Sequence, residues 1–168
     1  MKTKLLAAGL LTIATQVMAE TPVLTVLTYD SFTPEWGPGP AIEKGFEATC
    51  GCDVQYVTAG DGAAVLARLK LEGDKTDADV VIGLDTNLTG SAEGLFAPVT
   101  APANTLPVPF SDANFVPFDW GYFAFVYDNT KLKTPPKNFK ELAASDLKIV
   151  IEDPRSSTPG VSMWDSTP

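Results

Sequence analysis

The chain has 168 residues, with 12 Lys and Arg against 21 Asp and Glu, a formal charge of −9 and no histidine. The acidic balance disfavours nucleic acid as a partner, because a phosphate backbone calls for a basic face. The missing histidine removes Ser-His-Asp, Cys-His and His-metal chemistry and leaves only carboxylate catalysis open in principle.

At the N-terminus Lys2 and Lys4 precede an apolar run from Leu5 to Ile13, and Val17-Met18-Ala19 supplies a small-x-small processing pattern. Residues 1–19 therefore read as a signal peptide cleaved after Ala19, the run being too short to span a bilayer. The competing reading, an amphipathic first helix, lacks the polar positions it would need. No cysteine follows Ala19 for a lipid anchor, so the expected product is a soluble periplasmic protein. Loss of Lys2 and Lys4 would make it two charges more acidic, a balance compatible with a cationic ligand.

Val23 to Thr28 is a β-branched apolar run and reads as a buried strand. It opens onto Tyr29-Asp30-Ser31-Phe32 and the turn-rich Pro34 to Pro40. A helix is predicted from about Ala41 to Thr49, with Pro40 suited to its first turn and Ile42 and Phe46 on one face, and Gly51 stops it. Val54 to Thr58 is a second strand. Asp61 is a plausible N-cap for a helix over Ala63 to Glu72, whose inner stripe is Val65, Leu66, Leu69 and the stem of Lys70, with Gly73 at the stop position. Ala78 to Gly83 is a third strand, ending in Leu84-Asp85. This alternation predicts an α/β fold with a parallel-rich sheet flanked by helices, in which ligands bind at the carboxyl ends of the strands. Tyr29, Asp61 and Asp85 all follow strand-like runs and are expected to converge there.

Gly90 to Pro117 is proline-rich loop. Asp119 to Tyr127 is predicted as an aromatic strand, Lys131 to Pro136 as a turn, Asn138 to Ser145 as a short helix and Lys148 to Ile151 as a last strand. Hydroxyls before Pro159 and Gly160 look like a helix start, yet no full helix is expected after them. Residues 120–168 are few for a core of their own, so the chain is expected to be an incomplete or truncated piece. Cys50 and Cys52, one residue apart, are expected to pair as a tight, strained disulfide in an oxidising compartment. Metal is the poorer reading, since two ligands do not complete a structural zinc site.

Five segments taken in order, Thr28 to Phe32, Trp36 to Pro40, Val80 to Asp85, Val116 to Tyr127 and Asp153 to Gly160, resemble the family of periplasmic thiamine-binding proteins. The similarity runs from about Pro22 to Gly160. It implies a periplasmic binding protein-like fold of type II, with two lobes that close on thiamine or its phosphates and present it to an inner-membrane ABC permease. The first lobe would be 20–119, and 120–168 a hinge strand with the incomplete start of a second lobe. No cofactor, metal or catalytic activity is implied, and the chain is expected to act as a monomer.

Thiamine is a thiazolium cation joined to an aminopyrimidine, so a site for it needs aromatic faces, a carboxylate and oriented hydrogen bonds. By the resemblance Asp61 with Gly62 is a ligand-contacting pair, against the reading of Asp61 as a helix cap alone. Ser157 and Thr158 are the second-lobe contact, or a capping pair before Pro159. Tyr29 and Trp36 are the stacking candidates, or packing aromatics with a wet end. Trp120, Tyr122 and Tyr127 read as sheet and hinge packing. Competing functions are capture of ferric ion or a polyamine, a nonfunctional remnant and, against the absence of a nucleophile motif, a periplasmic hydrolase.

Overall fold

The computed structural model describes residues 20–100 and 106–165; the expected signal peptide, 1–19, lies outside them. Three strands form one parallel sheet in the order β2-β1-β3. β1 (Val23–Thr28) is central and pairs along its whole length with β2 (Asp53–Thr58), from Val23 opposite Asp53 to Thr28 opposite Thr58. On its other edge it pairs with β3 (Val80–Val81), Val26 opposite Val80 and Leu27 opposite Val81. The predicted strand over Ala78 to Gly83 is thus shorter as a ladder, although Asp79 N–H to the Thr25 carbonyl and Ile82 N–H to the Leu27 carbonyl continue the pairing on either side.

α1 (Gly39–Cys50) connects β1 to β2, with a proline in its first turn as predicted. Gly51 ends it at φ 65°, the left-handed conformation that glycine adopts without steric cost. That reversal brings the Cα atoms of Cys50 and Cys52 to 5.2 Å, and the two are disulfide-bonded. The separation lies within the ordinary range for a disulfide. The strain expected of neighbouring strand positions does not arise, because Cys50 closes a helix and Gly51 folds the chain back.

α2 (Gly62–Glu72) connects β2 to β3 and covers the sheet. Its Val65 and Leu69 pack with Leu27 of β1, while Leu66 packs with Leu88 and Ala92. Leu27 and Val65 are 1% and 0% exposed, the centre of the core. Burial of each is worth about 1.5–3 kcal/mol. Lys70 and Phe46 are exposed, against expectation. α3 (Thr86–Thr89) follows β3 and runs into a 3-10 turn over Gly90–Ala92.

Beyond the loop, the aromatic strand expected over Asp119 to Tyr127 is not a strand, and neither is Lys148 to Ile151. Both segments carry β-forming side chains, but no partner strand lies beside them among the described residues. A ladder needs a partner, and Tyr122, Val126 and Val150 stand 83%, 96% and 96% exposed. Trp120 and Tyr122 meet edge to face at 5.9 Å instead of packing in a sheet. α4 (Phe139–Ala143) is a single short turn capped by Asn138, whose side chain accepts from Glu141 N–H. α5 (Thr158–Asp165) overturns the expectation that no full helix follows Ser157. Ser157 Oγ accepts from Gly160 N–H at 3.4 Å, a side-chain cap that starts the helix with Pro159 in its first turn.

Candidate functional site

The loops leaving β1, β2 and β3 sit side by side at the carboxyl end of the sheet. With β1 central, the chain passes from β1 to β2 on one side and then crosses back over β1 to β3 on the other. A crevice opens at such a switch point. Tyr29 follows β1 at this end of the sheet. Asp30 N–H donates to the Gly60 carbonyl at 2.7 Å and Asp30 Oδ1 accepts from Gly60 N–H at 2.9 Å, so the β1 and β2 loops are cross-linked. Tyr29 packs its ring edge to face on Phe32 at 5.5 Å. On the β3 side it covers Gly83, where φ is 107° and an added Cβ would stand 2.3 Å from Tyr29 Cδ1. Only glycine fits there.

Asp61 is the junction of the site. Its extended backbone, φ −119°, places the side chain at the start of α2, where Oδ1 accepts from Gly62 N–H at 2.8 Å. Oδ2 turns the other way, accepting from Thr158 N–H at 2.9 Å and Ser157 Oγ–H at 3.2 Å. One carboxylate therefore sits on two helix N-termini, those of α2 and α5, where the partial positive charge of both favours it. Gly62 lets them approach: a Cβ on it would lie 2.5 Å from both the Gly83 carbonyl oxygen and Thr158 Oγ1. Thr158 Oγ1 is buried without a hydrogen-bond partner among the described residues.

Further carboxylates surround this junction. Glu152 Oε2 also takes the Ser157 hydroxyl. Asp85 caps α3, accepting from Asn87 and Leu88 N–H at 3.0 and 3.2 Å. Burial raises its pKa above the usual carboxylate value and the Asp61 charge adds to the rise, partly offset by those hydrogen bonds. The Tyr29 phenol is likewise pushed up, first by burial and then by the charges of Asp119 and Asp61. The neighbouring guanidinium, Arg155, is turned to Asp153 and holds that exposed carboxyl down at about 2. The arrangement is thus a set of carboxylates and hydroxyls beside an aromatic ring, with no basic side chain bonded into it among the described residues.

The structure brings Asp61, Gly62, Ser157 and Thr158 into contact and sets Tyr29 beside them. Trp36 stands apart, on a turn closed by Gly37 N–H to the Pro34 carbonyl at 2.8 Å. It is 78% exposed and makes no ring contact among the described residues. Sequence reasoning missed Glu152, Asp119, Asn87 and Ser162. Asp119 begins and Glu152 follows runs that read only as strand or hinge, and nothing local marks them. Asn87 carried a faint signal, two residues after the capping Asp85. A shallow cavity of about 180 Å³ lies elsewhere, at the far end of α2 beside Arg68, Glu72 and Thr76.

Residues 31–167 match the family described as bacterial extracellular solute-binding protein. The chain belongs to that family. Within this solute-binding family, it is 55% identical over 146 residues to the thiamine-binding periplasmic protein of Brucella abortus biovar 1 (strain 9-941), covering 83% of this chain and 44% of the relative. It is 50% identical over 160 residues to the thiamine-binding periplasmic protein of Escherichia coli (strain K12), covering 92% and 49%. A solved structure, a periplasmic thiamin binding protein, superimposes with a TM-score of 0.78 at 49% identity, over 92% of this chain and 50% of that one. The fold expected from the sequence, a parallel α/β lobe of periplasmic binding protein type, is the one found. The chain spans about half the length of the relatives it matches.

Proposed function

We propose that the chain is the substrate-binding component, or part of it, of an ABC-type importer, capturing thiamine in the periplasm for an inner-membrane permease. The observation that carries this reading is the Asp61 junction beside Tyr29, at the carboxyl end of the parallel sheet. Similarity to thiamine-binding periplasmic proteins from several bacteria supports it. A thiazolium cation is complemented by an aromatic face and by carboxylates that no Lys or Arg neutralises among the described residues. In this reading Tyr29 and Trp36 stack on the ligand, Asp61 and Gly62 contact its polar groups, and Ser157 and Thr158 approach from residues 120–168. These begin a second lobe against the first, residues 20–119. Thiamine phosphates would bring their anionic end to the α5 N-terminus. Residues 1–19 direct export and leave after Ala19, and the released chain acts as a monomer without catalysis.

The test is calorimetric titration with thiamine of residues 20–168 and of a longer chain continued with the second half of the Escherichia coli relative. Saturable heat from either chain supports the assignment, and heat from the longer one alone means that the added half supplies essential contacts. No heat from either would overturn the thiamine reading and bring a polyamine or ferric ion forward as the solute. Release of a product from thiamine during the titration would overturn the noncatalytic reading.

A further inference from the structure

Asp61 is not the only contact that fixes α5. Asn87 of α3 donates through Nδ2 to Ser162 Oγ at 2.7 Å, and Ser162 Oγ–H donates to the Thr158 carbonyl at 3.1 Å. Ser162 is 9% exposed and lies one helical turn along α5 from Thr158. Asp85 orients the donor, accepting from Asn87 N–H at 3.0 Å and, more weakly, from Asn87 Nδ2 at 3.4 Å. A helix held at its first residue alone is free to pivot about that point. A second tether one turn away fixes its direction as well.

The geometry points to a latch: we infer that Asn87 and Ser162 hold α5 against α3 and thereby keep the Ser157 hydroxyl and the Thr158 amide on Asp61. Asn87 is then a positioning residue for the junction although it touches neither Asp61 nor Thr158 through its side chain. Closure of α5 over the strand ends is favoured by two hydrogen-bonded points, one charged and one neutral, before any solute arrives. Of the pair, the Asn87 end is on the exposed surface of α3, so removing its amide leaves the core of Leu66, Leu88 and Ala92 unaltered.

Hydrogen exchange followed by mass spectrometry tests this without ligand, so its outcome is separate from that of the thiamine titration. The chain is compared with Asn87→Ala, Ser162→Ala and the double variant. Loss of one hydrogen bond predicts roughly two- to tenfold faster exchange in peptides covering α5 in each single variant. Peptides covering β1 and β2 keep their rates. Because both substitutions break the same bond, the double variant exchanges no faster than the quicker single one. Unchanged α5 exchange in the single variants overturns the latch, and so does a double variant whose effect is the sum of the two.

Discussion

Asp61 serves two helices, and substitution there separates its two roles. In Asp61→Ala, Gly62 N–H loses its cap and Thr158 N–H and the Ser157 hydroxyl lose their acceptor. A lost N-cap costs about 0.5–2 kcal/mol. A lost hydrogen bond to a charged group costs about 1.5–3 kcal/mol. Ser157 retains Glu152 as an acceptor, and Asp61 is only partly buried, so the loss at the α5 end belongs near the lower figure. Together these give about 2–4 kcal/mol. Asp61→Asn has a single carbonyl oxygen to offer. It can cap α2, where Asn is as good as Asp, or accept from Thr158, but its amide faces a donor at whichever end it abandons. Its expected loss is about 1–3 kcal/mol, taken at the α5 end. Urea denaturation with a fixed m-value measures both, and exchange of the α2 and α5 peptides locates each loss. An alanine variant that loses no more than about 1 kcal/mol, with α5 exchange unchanged, would refute the bridging role and leave Asp61 as an ordinary cap.

The other expectations concern the same crevice and its supports. Gly83→Ala forces a methyl into the Tyr29 ring and a side chain into φ 107°, for a loss of about 1–3 kcal/mol in thermal or urea denaturation and an altered near-ultraviolet signal from Tyr29. Wild-type stability with an unchanged signal would mean that the ring is not seated as described. Tyr29 is expected to ionise above the ordinary value of 10, because burial and the Asp119 and Asp61 charges disfavour the phenolate. The unfolded phenol gives up its proton first, so stability falls as pH rises from about 10 toward the folded value. Tyrosinate absorbance of the chain minus that of Tyr29→Phe isolates this component, and a difference curve centred below 10 would contradict it. Reducing the Cys50–Cys52 disulfide, which closes a very short loop, is expected to cost less than about 2 kcal/mol by denaturation with and without reductant.

Much of the sheet was legible because its signals are local. The apolar run of Val23 to Thr28 marks a central strand, and Asp61 ahead of the Val65, Leu66 and Leu69 stripe marks a capped helix; both are found within a residue of their expected ends. The misreadings lie where structure depends on a distant partner. Asp119 to Tyr127 has the composition of a strand, but pairing is a property of two segments, and composition describes one. The capping of α5 was locally visible at Ser157. Its docking on the sheet was not, since Thr158 and Asp61 are 97 residues apart. At the site, the residue types were readable and the bonds between them were not. The resemblance brought Asp61, Gly62, Ser157 and Thr158 to notice, whereas Glu152 and Asn87 belong to the cluster only through contacts made in three dimensions.

The electrostatics of the cluster follow from how its carboxylates are held. Asp61 and Asp85 rest on backbone N–H groups at helix starts, which stabilise negative charge with partial dipoles. Had Lys or Arg neutralised them, the site would present little net charge. Held by amides, Asp61 and Asp85 have no basic side chain bonded to them among the described residues, and Glu152 brings a third carboxylate to the Ser157 hydroxyl. Repulsion between Asp61 and Asp85 is the cost, a smaller contribution than burial to the raised pKa of Asp85. A cation in the crevice would relieve it, so binding and the repulsion between carboxylates are coupled. On that account a cationic solute should raise stability more than its neutral isostere does at equal occupancy. It should also lower the pKa of Asp85, which carbon-detected titration would register as a downward shift. An unmoved or rising Asp85 titration on saturation with thiamine would show that the charge of the solute lies elsewhere.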